Sequence, residues 1–130
     1  MEGAKGGQAD PKTVLVVDDE ASLRLLCRVN LELEGHRALE ASTLTEAREL
    51  LASQLPDVML LDVHLGSEIG LDLLDDIDSL ELPTRVVLLS GSSRISPELR
   101  ARVAGVLGKP FDLAELADAV AAAARDSNRR

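Results

Sequence analysis

The sequence predicts an α/β domain built on one five-stranded parallel sheet with helices on both faces. Three aliphatic runs carry that expectation: Val14-Leu15-Val16-Val17, Val58-Met59-Leu60-Leu61 and Val86-Val87-Leu88-Leu89. Uninterrupted runs of this length are what strands buried on both faces require. Parallel neighbours need a crossover between them, and the intervening segments supply apolar residues at helical spacing. Each run also stops at a loaded position: Asp18-Asp19-Glu20 after the first, Asp62 after the second, Ser90 after the third, with Lys109-Pro110 downstream. Ligands of open parallel sheets sit outside the carboxyl ends of the strands. Three carboxylates, a hydroxyl and an ammonium are therefore expected at one edge.

The elements follow in order. Residues 1–11 are rich in Gly, Lys, Gln and Asp with little to bury, and read as a mobile tail. The domain itself is expected over 12–125. A helix from Glu20 to Glu34 follows the first strand, with Gly35 as its left-handed stop. His36 to Ala41 is a short second strand, with His36 in a packing role. Thr43-Leu44-Thr45-Glu46 is a capping box that opens a helix to about Ser53, with Leu44, Ala47, Leu50 and Leu51 on one face. Pro56-Asp57 leads into the third strand, and 66–70 is a loop.

Leu71 to about Leu80 is a helix with Leu73, Leu74, Ile77 and Leu80 inward. Its other side carries Asp72, Asp75, Asp76 and Asp78, read as a solvated face. Pro83 precedes the fourth strand, and Ser96-Pro97-Glu98 starts a helix by its capping serine and first-position proline. Val106-Leu107 is the fifth strand. Asp112-Leu113-Ala114-Glu115 caps a final alanine-rich helix to about Arg125, and 126–130 fray.

Composition narrows the function. The 130 residues suit one domain, and the 45% hydrophobic content builds a core that is almost wholly aliphatic, with no Trp or Tyr and one Phe, Phe111. A net charge of -9 argues against nucleic acid or an anionic membrane as a direct partner. The lone Cys27 excludes an internal disulfide, fits a reducing cytosol and reads as a core residue. No stretch is long enough to span a bilayer, and the start lacks the apolar region of a signal peptide. A cytoplasmic location is expected.

The strand-end residues define a chemistry. Asp18, Asp19 and Asp62 would repel one another without a cation among them. Oxygen ligands on a partly open site favour Mg²⁺. Asp62, alone at its strand end, is placed as a carboxylate nucleophile for a phosphoryl group. Ser90 offers a hydroxyl to a phosphoryl oxygen and Lys109 a point positive charge, the arrangement that stabilises phosphoryl transfer. Taken singly, each residue is more often a turn, a cap or an ordinary surface group. Their joint occurrence at strand ends is what a structural explanation accounts for badly.

The motifs VLVVDDE, VMLLDVHLGSEIGLDLL, VVLLSG and LGKPF resemble those of the receiver domain of bacterial two-component response regulators, over nearly everything outside the tails. The resemblance implies a flavodoxin-like (βα)₅ fold with Asp62 as phospho-acceptor. It implies Asp19 as a direct Mg²⁺ ligand, Asp18 as one acting mainly through water, and the backbone carbonyl of His64 as another. Ser90 becomes the switch hydroxyl, Lys109 the phosphate partner, and Lys109-Pro110 a cis peptide. The implied donor is a sensor histidine kinase or a histidine phosphotransfer domain. The implied output is a downstream effector protein or an output domain beyond this chain, with room for a homodimer. Such a domain is regulatory rather than an enzyme.

The chain departs from that pattern in three places. Val106 stands where the family has the aromatic switch residue, Gly66 replaces the usual proline four residues after the acceptor, and the Ser90–Lys109 segment is short. All three lie in the reporting apparatus, leaving the chemistry intact. Three other functions are weaker. A Mg²⁺-dependent aspartyl-phosphate hydrolase usually has a second aspartate where His64 stands. A nucleotide-binding domain would need a glycine-rich loop after the first strand. A phosphorylation-independent pseudo-receiver would not need the complete acidic set. The first helix carries one apolar stripe at Leu23, Leu26 and Cys27 and a second at Leu25, Val29 and Leu33. The second is either covered by loops or tail, or a docking face.

Overall fold

A computed structural model describes residues 11–65, 68–91 and 95–127. Its strands are β1 (Thr13–Val17), β2 (Arg37–Ala41), β3 (Val58–Asp62), β4 (His64–Leu65), β5 (Glu68–Ile69), β6 (Arg85–Ser90) and β7 (Gly105–Gly108). Between and after them run α1 (Ala21–Leu33), α2 (Leu44–Gln54), α3 (Asp72–Ser79), α4 (Pro97–Arg100) and α5 (Leu113–Ser127). Five strands form one parallel sheet in the order β2-β1-β3-β6-β7. The expected doubly wound architecture is present. The antiparallel pair β4-β5 was not foreseen, since two-residue strands leave no periodic signal. The expected tail (apart from Pro11), Gly66 and the last residues of the expected frayed end lie outside the described residues.

Alternation along the strands builds two cores. Leu15, Val17, Met59, Leu61, Val86 and Leu88 face α2 and α3, where they meet Leu44, Ala47, Leu51, Leu73, Leu74 and Ile77. Val14, Val16, Val58, Leu60, Val87 and Leu89 face α1 and α5, against Cys27, Leu31, Leu116 and Val120. Successive side chains on a strand point to opposite faces, so an all-aliphatic run fills both layers. Each fully buried leucine contributes about 1.5–3 kcal/mol.

The helix ends follow the chemistry of their sequences. Thr43 Oγ1 accepts from the Glu46 N–H at 3.2 Å, while Glu46 reaches back to the Ser42 N–H at 2.7 Å. Ser96 Oγ accepts from the Leu99 N–H at 3.1 Å. Asp112 and Glu115 cap reciprocally at 2.8 and 2.9 Å. Gly35 has φ 92°, the left-handed stop expected of it. α4 is a single turn with no buried residue, consistent with the short segment before β7. α5 runs to Ser127, two residues past the expected end at Arg125.

Two packing expectations are corrected. Leu80 is 65% exposed: the chain leaves α3 at Ser79, Glu81 takes φ 54°, and Leu82 rather than Leu80 folds back onto the core. Leu26 lies with the exposed Leu25, Val29 and Leu33, because Leu23, Cys27 and Leu31 at four-residue spacing take the inward face. The acidic side of α3 is solvated as expected, with Asp72, Asp75 and Asp78 exposed, and it also carries surface ion pairs. Arg48 binds Asp76 at 2.6 Å, and Arg102 binds Asp75 and Asp78 at 2.9 and 2.8 Å.

His36 anchors the chain before β2. Its Nδ1 accepts from the Lys12 N–H at 3.1 Å, and burial holds the imidazole below its ordinary value of 6.5. The native state therefore keeps His36 neutral, whereas the unfolded chain protonates at the ordinary value. The contribution is fully present above 6.5 and is lost as pH falls through the lower native value. Urea unfolding followed by circular dichroism between about pH 7 and pH 5 should show a shallower loss of stability in His36→Gln than in the wild type. Equal slopes would show that His36 does not carry this dependence.

Candidate functional site

The strand order places the site. β1 and β3 are neighbours, yet the connection from β1 runs outward to β2 before the chain returns to β3. A crevice opens where the winding reverses, at the carboxyl ends of β1 and β3. Asp18 follows β1 and is fully buried; Asp19, next to it, is exposed. Asp62 ends β3 and is nearly buried. One carboxylate oxygen from each of Asp18, Asp19 and Asp62 lies within 4.8 Å of the others.

Lys109 enters from the residue after β7. Its Nζ donates to Asp18 Oδ2 at 2.8 Å and lies 3.4 Å from Asp62 Oδ2. Its own N–H donates to the Ser90 carbonyl at 2.8 Å, so the lysine and the end of β6 are tied together. The Lys109-Pro110 bond is cis. Ser90 ends β6, buried, one strand over from Asp62. His64 stands exposed at the rim, and its N–H donates to Asp62 Oδ1 at 3.3 Å. Val106 lies on β7, partly buried against the α2–α3 core and outside the carboxylate group.

The electrostatics are unequal. Burial pushes the Asp62 carboxyl above its ordinary value, the Asp18 charge pushes it further, and Lys109 opposes both. Burial works against the Lys109 ammonium, but the hydrogen bond and charge of Asp18 and the charge of Asp62 outweigh it and raise its value. The lysine lies closer to Asp18 than to Asp62, which leaves Asp62 under-compensated. Three carboxylates against one ammonium leave a formal charge of -2 when all are ionised (-3 and +1). An all-oxygen donor set of that charge fits a small divalent cation that keeps some of its waters. Beneath it, burial and then the Asp18 charge push the Cys27 thiol up to about 11, which keeps it a core group. A cavity of about 590 Å³ lies away from this site, between α3 and the start of β6.

Two contributors were not legible in the sequence. Arg24, on α1, donates from Nη1 to the Asp18 carbonyl at 2.8 Å. The only hint was a cation near a helix N-terminus, where the macrodipole disfavours it. Gly70 is the other: a Cβ there would run into the Asp62 carbonyl oxygen, and its N–H donates to the Val63 carbonyl at 2.8 Å. Gly70→Ala must displace the backbone that carries Asp62. It should lower stability by about 1–3 kcal/mol, measured by urea unfolding. An unchanged unfolding midpoint would show that the backbone absorbs the methyl without strain.

Comparisons with known proteins agree with this geometry. Residues 14–121 match the family model described as the response regulator receiver domain. The chain is 26% identical over 110 residues to sporulation initiation phosphotransferase F of Bacillus subtilis, covering 82% of this chain and 89% of that protein. It is 36% identical over 136 residues to nodulation protein W of Bradyrhizobium diazoefficiens, covering 97% of this chain but 59% of that protein. It spans about half the length of several other curated relatives. Among solved structures, the receiver domain of a putative Luxo repressor protein from Vibrio parahaemolyticus superposes with a TM-score of 0.84 at 25% identity, covering 92% of this chain and 95% of that one. With the family model spanning most of the sequence and the acidic crevice where its motifs fall, the chain belongs to the receiver domains of two-component response regulators.

Proposed function

We propose that Asp62 accepts a phosphoryl group in a Mg²⁺-dependent reaction and that the resulting acyl phosphate switches protein contacts. The observation that carries this reading is the charge arrangement: a raised, under-compensated Asp62 carboxyl between two further carboxylates and one ammonium. An Asp62 oxygen attacks phosphorus, the P–N bond of a phosphohistidine breaks, and the imidazole leaves with the electron pair. Asp18, Asp19 and Asp62, with the His64 carbonyl, are the residues that would hold the cation. When bound, it supplies positive charge to the phosphoryl oxygens.

The chain's own groups do the rest. Lys109, already beside Asp62, neutralises charge on the phosphoryl group from the other side. The Ser90 hydroxyl, at the next strand end, accepts the role of sensing that group, and Val106, which pairs with Leu88 two residues before Ser90, carries the response without an aromatic ring. The donor is a sensor histidine kinase or histidine phosphotransfer domain in the cytoplasm. The exposed aliphatic stripe of α1, Leu25, Val29 and Leu33, is the surface offered to it. The output goes to an effector protein, a second copy, or an output domain of a longer regulator.

The test is direct. With Mg²⁺ and a small phosphodonor the protein should gain one phosphoryl group by intact mass. Borohydride should reduce the acyl phosphate at residue 62 to homoserine. Absence of uptake, or reduction at another residue, would overturn the assignment.

A further inference from the structure

We propose that Arg24 is a positioning residue for the cation pocket, holding the peptide between Asp18 and Asp19 in the orientation that presents both carboxylates. This deepens the phosphoryl-acceptor reading and rests on it for its biological meaning. Arg24 lies one turn into α1 with its side chain 18% exposed. Its Nη1 donates to the Asp18 carbonyl at 2.8 Å and its Nε to Glu40 Oε1 at 3.1 Å. Glu40, on β2, also receives Arg28 Nη1 on its other oxygen at 3.1 Å. The next residue, Ala41, accepts the Asp18 N–H at 3.1 Å. Because peptide units are planar, gripping the N–H and the C=O of Asp18 fixes both planes that flank it. Those planes set where the Asp18 side chain leaves the chain and where Asp19 begins. The Asp18 carboxylate is in turn fixed by the Glu20 N–H at 2.9 Å and by Lys109.

Helix stability does not account for this arginine. α1 has no acidic residue in its first turn, and a cation there works against the macrodipole. The bond to the Asp18 carbonyl gives it a reason to be there, and Glu40 holds the guanidinium at the angle that makes the bond.

Charge and position predict opposite results, which makes the test sharp. Arg24→Met removes a positive charge next to the carboxylates; by Coulomb's law alone, Mg²⁺ should then bind more tightly. If Arg24 positions the pocket, Mg²⁺ binding measured by titration calorimetry should instead weaken, by about 10-fold, as for other outer-shell partners of metal ligands. Arg24→Lys keeps the charge but is a single point donor that does not span both Glu40 and the carbonyl, so it should weaken binding to a lesser degree. Melting followed by circular dichroism in chelator verifies that each variant is folded; if Arg24→Met is not, Arg24→Lys decides, and wild-type affinity in it overturns the proposal. Unchanged or tighter binding in a folded Arg24→Met also overturns it. A wild type that binds Mg²⁺ and takes no phosphoryl group would sink the acceptor reading alone, leaving the effect of Arg24 on the pocket to stand. A wild type that binds no Mg²⁺ would sink both.

Discussion

Asp62→Asn is expected to take up no phosphoryl group under conditions that fully label the wild type. The carboxamide has nearly the shape of the carboxylate but no anionic oxygen to form the mixed anhydride, so uptake should fall to background. The neighbours offer no equivalent substitute. Asp18 is fully buried, with one oxygen on the Glu20 N–H and the other on Lys109. Asp19 is exposed but stands at the end of the adjacent strand. Intact mass reads the outcome, and equal labelling of the two proteins would exclude Asp62 as acceptor. The same variant has a second readout. Burial, and then the Asp18 charge, hold the Asp62 carboxyl above its ordinary value. A raised acid binds its proton more tightly in the native state, so stability is gained as pH falls through the native value and is absent above it. At neutral pH the ionised Asp62 therefore works against the metal-free fold. Asp62→Asn should melt higher in chelator, by roughly 3 °C or more, and added Mg²⁺ should narrow the gap. A variant that melts lower in chelator would show that the carboxylate is not under strain.

Mg²⁺ affinity should fall by about 10-fold or more in Asp19→Asn and by less in Asp18→Asn. The structure supplies the reason for the asymmetry. Both Asp18 oxygens are already engaged within the protein, one by a backbone N–H and one by the Lys109 ammonium. Asp19 is exposed at the mouth, where a cation that keeps several waters would meet it. Titration calorimetry on the two variants decides the order, with labelling by a small phosphodonor expected to follow it. Wild-type affinity in Asp19→Asn would reverse the assignment of ligands.

Sequence alone was enough for the five strands of the parallel sheet, the caps and the gathering of the strand-end residues at one edge. The runs ending at Asp18, Asp62 and Ser90 form adjacent parallel strands, and Thr43, Ser96 and Asp112 cap the helices they were expected to cap. These are local properties: burial on two faces demands an aliphatic run, and a helix start demands an oxygen for its free N–H groups. The collection of Asp18, Asp19, Asp62 and Lys109 was legible for the same reason, because the carboxyl ends of parallel strands share one edge. How long-range partners meet is fixed only once the layers pack. Arg24 reaches Glu40 across 16 residues of chain, Arg102 reaches Asp75 across 27, and Lys109 reaches Asp18 across 91. The lysine's preference for Asp18 over Asp62 is what leaves Asp62 under-compensated, and no spacing in the chain encodes it. Leu80 and Leu26 had the right spacing for burial and are exposed, since the α3 exit and the rotation of α1 are set by packing against the sheet. Gly70 had no signal at all, because the approach of its Cα to the Asp62 carbonyl exists only once the chain after β3 has folded back. Periodicity specifies which side of an element is buried; distances between side chains on different elements depend on register and crossing geometry, which arise when the layers pack.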